Sequence, residues 1–481
     1  MKKSIIFLIG CILCITASAA ATGMSNVRDF GATGDGKTLD TAAIQKALDA
    51  GGIVHFPAGT YLTGTIYLRS NGGIDLAPGA TILGSPNKEH YNKSDFSPKN
   101  RPDSVEKNWS RHLKKFTRPM DWSSGAHLII GLNIHDVVIR GQGTICGNCP
   151  AFGPIIVEEP ELRPSTPMPW RPGEMIWICE SDRITFDGVR FTDPTFWTCV
   201  LSMCNEVKIR NLTVDMNLWT RNGDGFTIDG CRNVVMTNCI IRGADDCIVL
   251  KSDHRRTERK QACENVVISN CVLESTCYGI RVGVGNGTMK NIRVDNVVCR
   301  ARIAAFLGVN WGIVKEISDV TFSNFTIDCE TAIFIKGTDW VRLKRDEKDV
   351  IIKDITFRNF KGSVVKAIDI NPDIPVKNIF IDGLYLKLRH IDRSLCPYRE
   401  LPTSKSPIIL KKVHSLHMRD VIIDWDNPWP TYKYPISAEE VYDLQMDNCR
   451  LGGLKKWGTA DNFPKPTPEQ VKYRKSWEHF Y

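Results

Sequence analysis

Between about residues 180 and 385, apolar and polar positions alternate within one short phrase that keeps returning. Its copies are Arg183-Ile-Thr-Phe-Asp-Gly-Val, Glu206-Val-Lys-Ile-Arg-Asn-Leu, Asn233-Val-Val-Met-Thr-Asn-Cys, Asn265-Val-Val-Ile-Ser-Asn-Cys, Asn291-Ile-Arg-Val-Asp-Asn-Val, Asp319-Val-Thr-Phe-Ser-Asn-Phe, Asp354-Ile-Thr-Phe-Arg-Asn-Phe and Asn378-Ile-Phe-Ile-Asp-Gly-Leu. A period of two marks a half-buried strand, and the closing Asn or Gly marks a turn. A second short strand follows in several copies, as in Cys247-Ile-Val-Leu, Gly279-Ile-Arg-Val, Ala332-Ile-Phe-Ile and Ala367-Ile-Asp-Ile. Copies recur roughly every 25–30 residues, the signature of a solenoid whose units bury their apolar faces by stacking. The expected fold class is therefore all-β, a single-stranded parallel β-helix. A β-sandwich of short strands does not account for a constant phrase at a constant interval.

A solenoid needs closed ends. Asp40 is placed to N-cap a helix through Ala43, Ile44, Ala47 and Leu48, whose spacing makes one apolar stripe, and Gly51-Gly52 stops it. This helix would plug the N-terminal end. Residues 85–125 and the proline-rich 150–175 lack the phrase and read as long loops, and residues 451–481 read as a tail along the solenoid. Residues 1–20 read as a signal peptide: Lys2-Lys3, an apolar run from Ile5 to Ile15, then Ala17-Ser18-Ala19. Residues 21–481 would form one domain, secreted or periplasmic. A lipid anchor at Cys11 is disfavoured because the apolar run continues past it.

Composition narrows the function classes only slightly. Hydrophobic residues make up 42% and charged residues 24% of the 481, which describes a globular chain with a large core. The 62 basic against 54 acidic residues form no polybasic block, so a nucleic-acid partner is not expected, and no stretch beyond the leader has the ~18 apolar residues of a membrane span. A monomer is expected. Of 17 cysteines, fifteen follow the leader, an odd number that cannot all pair. Cys231, Cys239, Cys271 and Cys299 stand where the repeat wants small buried groups, and Cys146 with Cys149 is the expected local pair.

Carboxylates mark the chemistry. Aligning Asn222-Gly-Asp-Gly-Phe-Thr-Ile-Asp with Ala244-Asp-Asp-Cys-Ile-Val-Leu-Lys puts Asp224 level with Asp246 on neighbouring coils, about 4.8 Å apart, with Asp245 beside them. Like charges that close raise at least one pKa, giving a proton donor next to ionised acceptors. Glycosidic hydrolysis needs that division between acid and base. A solvated or calcium-binding turn is the other reading of such a loop.

The opening Val27-Arg-Asp-Phe-Gly-Ala-Thr-Gly-Asp-Gly-Lys, the Phe56-Pro-Ala-Gly-Thr-Tyr-Leu-Thr-Gly segment, Asn222-Gly-Asp-Gly-Phe and Ala244-Asp-Asp-Cys-Ile together resemble the polygalacturonase family of glycoside hydrolases, family 28. The resemblance runs from about residue 25 to 385. It implies a right-handed parallel β-helix that hydrolyses pectic polysaccharides with inversion, using no metal or other cofactor. It implies Asp245 as general acid, Asp224 and Asp246 as the pair that holds and activates water, and Asn222 as a substrate-positioning residue. Gly223 replaces the family's threonine, which reads as a small change. Two departures are larger. Tyr278 stands where the family's Gly-His-Gly places histidine, and Ile303-Ala-Ala-Phe-Leu-Gly-Val-Asn-Trp carries no cation where an Arg-Ile-Lys motif is due. The cleaved sugar therefore need not be galacturonic acid.

Strand alternation sends Arg281, Lys251, Lys336, Asp369 and Asn371 outward, which makes Arg281, Lys251, Lys336 and Tyr278 candidate substrate contacts. Trp197, Trp311 and Trp340 are candidates for stacking on sugar rings. The leading expectation is an exported, inverting glycosidase, exo-acting if the long loops close one end of the site. A lyase or epimerase on the same solenoid, or a non-catalytic carbohydrate-binding β-helix, are the alternatives.

Overall fold

A computed structural model describes residues 23–92, 126–153, 170–218, 220, 222–254, 257–308, 314–336, 350–389 and 404–452. The leader, most of the two long loops, nearly all of the tail, Trp311 and Trp340 lie outside the described residues. Among the described residues the strands join into one continuous parallel sheet wound as a right-handed β-helix. Each strand pairs with its counterparts one coil earlier and one coil later, as in Phe226 with Ile248 and Ile248 with Ile280.

The repeated phrase explains this winding. The first apolar position of each phrase, Val207, Val234, Val266, Ile292, Val320, Ile355 and Ile379, stacks in register through the interior and is fully buried. Phe322 lies flat on Phe357 at 5.4 Å, and Phe325 on Phe360 at 4.6 Å. The closing Asn residues are left-handed corners, with φ of 58° at Asn211, 55° at Asn238 and 53° at Asn296. The opening residue of every copy is a second corner, from Asn291 at 51° to Asn265 at 58°. Two left-handed corners per phrase turn the chain, and Asn and Asp tolerate that region because their short side chains bond locally. Here the corner amides also bond along the stack: Asn265 donates to Asn233 at 2.9 Å and accepts from Asn291 at 2.7 Å.

The capping helix spans Thr41–Asp49 and buries Ile44, Ala47 and Leu48. Asp40 precedes it, but its carboxylate does not cap it. It accepts instead from the Thr33 and Gly34 amides and the Thr33 hydroxyl at 2.8, 3.0 and 3.1 Å, so it secures the preceding turn. The expected Cys146–Cys149 bridge is absent. Every cysteine among the described residues is a thiol; Cys146 sits 4.0 Å from the Asp193 carboxylate, while Cys149 is buried at the start of a 3-10 turn over Cys149–Phe152. Most of the others fill the core, and Cys231 donates its S–H to the Leu201 carbonyl. No helix among the described residues is long and apolar enough to cross a membrane.

Candidate active site

One outer face of the solenoid collects the expected chemistry. Asp224 and Asp246 each stand two residues before paired strand positions, Phe226 and Ile248, so they are level on adjacent coils. Tyr278 continues the row one coil on, because Ile248 pairs with Ile280. Backbone bonds hold the row: the Thr198 amide donates to the Asp224 carbonyl, Gly225 to Asp246, and Cys247 to Tyr278, all at 2.9 Å. The Asp245 amide donates to the Gly223 carbonyl, and the Ser275 hydroxyl to the Asp245 carbonyl.

Burial then sets the electrostatics. Asp224 and Asp246 are 4% and 1% exposed, while Asp245 is half-buried. Loss of water, reinforced by the charges of Asp245 and Asp246, pushes the Asp224 carboxyl well above the ordinary range, against the pull of Lys251 and Arg281. Asp246 is pushed up to about 7, burial outweighing Arg281 and Lys251 and Asp245 adding to the rise. Asp246 Oδ1 and Asn222 Oδ1 are buried without a hydrogen-bond partner, so both acceptors remain open to a donor.

Strand Tyr278–Gly285 supplies the next shell. Ile280 and Val282 are buried in the core and Arg281 turns outward, as alternation requires. Its Nη1 donates to Asp246 Oδ2 at 3.0 Å. The guanidinium lies 5.5 Å from the ring centres of both Tyr278 and Phe306, which stack on each other at 4.5 Å and 3°. Lys251 is buried, with Nζ 4.0 Å over the Trp197 ring. Arg281 thus meets Asp246 rather than standing free on the face. Lys336 is in register with Gly308, which pairs with Gly283, so it lies two coils beyond the Arg281 coil, about 10 Å away. Asp369 points along the same face but is held by Lys366 at 2.7 Å.

Three features of the site depend on contacts between coils that the sequence pattern does not reveal. Phe306, which occupies the coil that lacks a cation, is 1% exposed beneath Tyr278; its offset from Arg281 by one coil was the available signal. Gly223 is no minor replacement: a Cβ there would sit 2.6 Å from Met216 Sδ and 2.9 Å from Ala244 Cβ. Cys277 places its sulfur with the carboxylates of Asp245 and Asp246, one atom from each lying within 4.8 Å of the others. Burial, reinforced by the charges of Asp245 and Asp246, holds that thiol protonated.

Fold and site together define a right-handed parallel β-helix protein with three aspartates gathered on one face. Comparison with known proteins agrees with that class. The model for glycosyl hydrolases family 28 matches residues 113–388, and a rhamnogalacturonase A/epimerase, pectate lyase-like model matches residues 24–102. The chain belongs to glycosyl hydrolases family 28. It is 26% identical to a probable polygalacturonase of Vitis vinifera over 69% of this chain and 60% of that protein, so it spans less than two thirds of that relative. The solved family 28 exopolygalacturonase of Yersinia enterocolitica superposes with a TM-score of 0.63 at 18% identity, covering 88% of this chain and 78% of that one. The exopolygalacturonase of Thermotoga maritima gives 0.55 at 17%, covering 92% and 95%.

Proposed function

We propose that this protein is an exported glycoside hydrolase that cleaves a glycosidic bond in a pectic or related glycan with inversion. The observation that carries the reading is the level stacking of buried Asp224 and Asp246 on adjacent coils with Asp245 between them in sequence. In the reaction, Asp245 gives its proton to the glycosidic oxygen as the bond from the anomeric carbon to that oxygen breaks. A water held between Asp224 and Asp246 attacks the anomeric carbon from the other side and loses its proton to the ionised carboxylate. Atoms balance as one water added across one bond, and the acid is restored by exchange with solvent.

Asn222 and Lys251 flank this position and supply hydrogen bonds to sugar hydroxyls or a carboxylate, and Lys336 serves a more distant sugar of the chain. Phe306 in place of a cation favours a cleaved residue other than galacturonate. The inserts over 85–125 and 150–175 favour action at chain ends, and the leader-like residues 1–20 favour export.

The test is incubation of the purified mature chain, and of its Asp245→Asn variant, with a panel of pectic, other acidic and neutral oligosaccharides, followed by mass spectrometry. Products heavier by one water from the parent alone establish hydrolysis and name the sugar. An unsaturated product absorbing in the ultraviolet would make the protein a lyase, and binding without cleavage across the panel would make it a carbohydrate-binding solenoid.

A further inference from the structure

Resting on the hydrolase reading, we propose that Arg281 is a positioning residue that makes Asp246, and not its level neighbour Asp224, the water-activating base. The two aspartates are related by one coil, are buried alike and precede equivalent strands. Their burial and strand positions alone do not decide which carries the negative charge. Arg281 breaks that symmetry. Its Nη1 bonds Asp246 Oδ2 at 3.0 Å, with the two side chains 12% and 2% exposed, while Asp246 Oδ1 stays buried and unpartnered. One oxygen is thereby fixed and the other left to accept a proton from water, the geometry a general base requires.

The guanidinium is itself held in place. Tyr278 and Phe306 form a parallel stack, and Arg281 lies 5.5 Å from each ring. The groups facing Asp246 are Asp224 from the preceding coil, its neighbour Asp245, Lys251 from its own strand, and Cys277, Tyr278 and Arg281 from the following coil. Arg302, one coil further, pairs with Glu330. Lys251 sits over Trp197, whereas Arg281, among the described residues, hydrogen-bonds an aspartate of the cluster. With Arg281 present the pair shares its charge unequally: Asp246 is ionised first and Asp224 retains the proton.

The experiment is the pH dependence of kcat/KM for the parent, Arg281→Gln and Arg281→Lys, on the substrate the panel identifies. Arg281→Gln is expected to move the acid limb upward by at least one pH unit, costing tenfold or more at pH 5 and much less at pH 8, and Arg281→Lys to recover part of it. A merely structural role would lower the rate equally at all pH values, and an unmoved acid limb overturns the proposal while leaving the hydrolase reading intact. If the parent cleaves nothing, that reading and the base role fall with it, and denaturant unfolding from pH 5 to 9 decides the remaining part of the inference, that Arg281 sets the ionisation of Asp246. Without its cation, Asp246 holds its proton to higher pH in the folded state, so Arg281→Gln extends the loss of stability with rising pH, and this added dependence vanishes when Asp246→Asn is also present. The same pH dependence with and without Asp246→Asn overturns the inference. Should Arg281→Gln not fold, Arg281→Lys carries both measurements with a smaller expected shift.

Discussion

Phe306→Ala tests whether the ring stack supports the site rather than merely filling space. Phe306 is 1% exposed, lies flat on Tyr278 at 4.5 Å and meets Phe334 edge-on at 5.4 Å. Burying a phenylalanine side chain contributes about 2 kcal/mol, and each ring contact adds about 1 kcal/mol. The expected loss is therefore about 4 kcal/mol, inside the range of about 3–5 kcal/mol for large aromatic deletions. Phe306 is also one of the two rings flanking the guanidinium that bonds Asp246, so its removal is expected to loosen Arg281 as well. Phe357→Ala, deep in the interior with two ring contacts of its own, is the matched control. Both variants are expected to unfold at lower urea concentration by similar amounts, measured by circular dichroism and intrinsic fluorescence. Only Phe306→Ala should lose turnover on the panel substrate at temperatures where both remain folded. Equal turnover in the two variants, or a stability loss below about 1 kcal/mol for Phe306→Ala, would refute the reasoning.

Three further outcomes are expected. An acid whose folded pKa is raised is stabilised in its protonated form; for Asp246, near 7 when folded against about 4 when unfolded, stability is present at low pH and lost as pH rises through that window. The urea midpoint should accordingly fall between pH 5 and 8, less steeply in Asp224→Asn, and an identical profile in parent and variant contradicts the burial argument. Asn265→Ala should cost about 1–3 kcal/mol because alanine is strained at a φ of 58° and both amide bonds along the stack are lost. Asn265→Gly keeps the backbone geometry and should cost less; a glycine variant less stable than the alanine one on thermal melting would show that the corner is not governed by φ. Gly223→Thr should lower turnover more than tenfold by driving the loop against Met216, with partial recovery when Met216→Ala is added, and no recovery would mean that the clash lies elsewhere.

Much of this molecule was legible in its sequence because a β-helix is a local pattern repeated. The alternation in Asn265-Val-Val-Ile-Ser-Asn decides which side chains enter the core, and the Asn corners decide where the chain turns, both through short-range sterics. Level placement of Asp224 and Asp246 followed from the same arithmetic, since each lies two residues before a strand position that must pair. Other properties depend on how coils meet. Whether Arg281 stands in solvent or bonds Asp246, whether Phe306 lies open or under Tyr278, and how far burial raises an aspartate pKa are set by contacts between residues 25 or more apart. The register slip between Leu250 and Ser252 shows why counting fails there, because it takes Lys251 out of line with the coils that follow. Asp40 failed for a related reason: its position before the helix was local, but its carboxylate was claimed by the Thr33–Gly34 turn that folds back beside it. Sequence by itself determined the winding and the row of aspartates, since strand period and corner stereochemistry act within one coil. Charge assignment within that row was decided by the tertiary structure, because desolvation and ion pairing exist only after the coils have stacked.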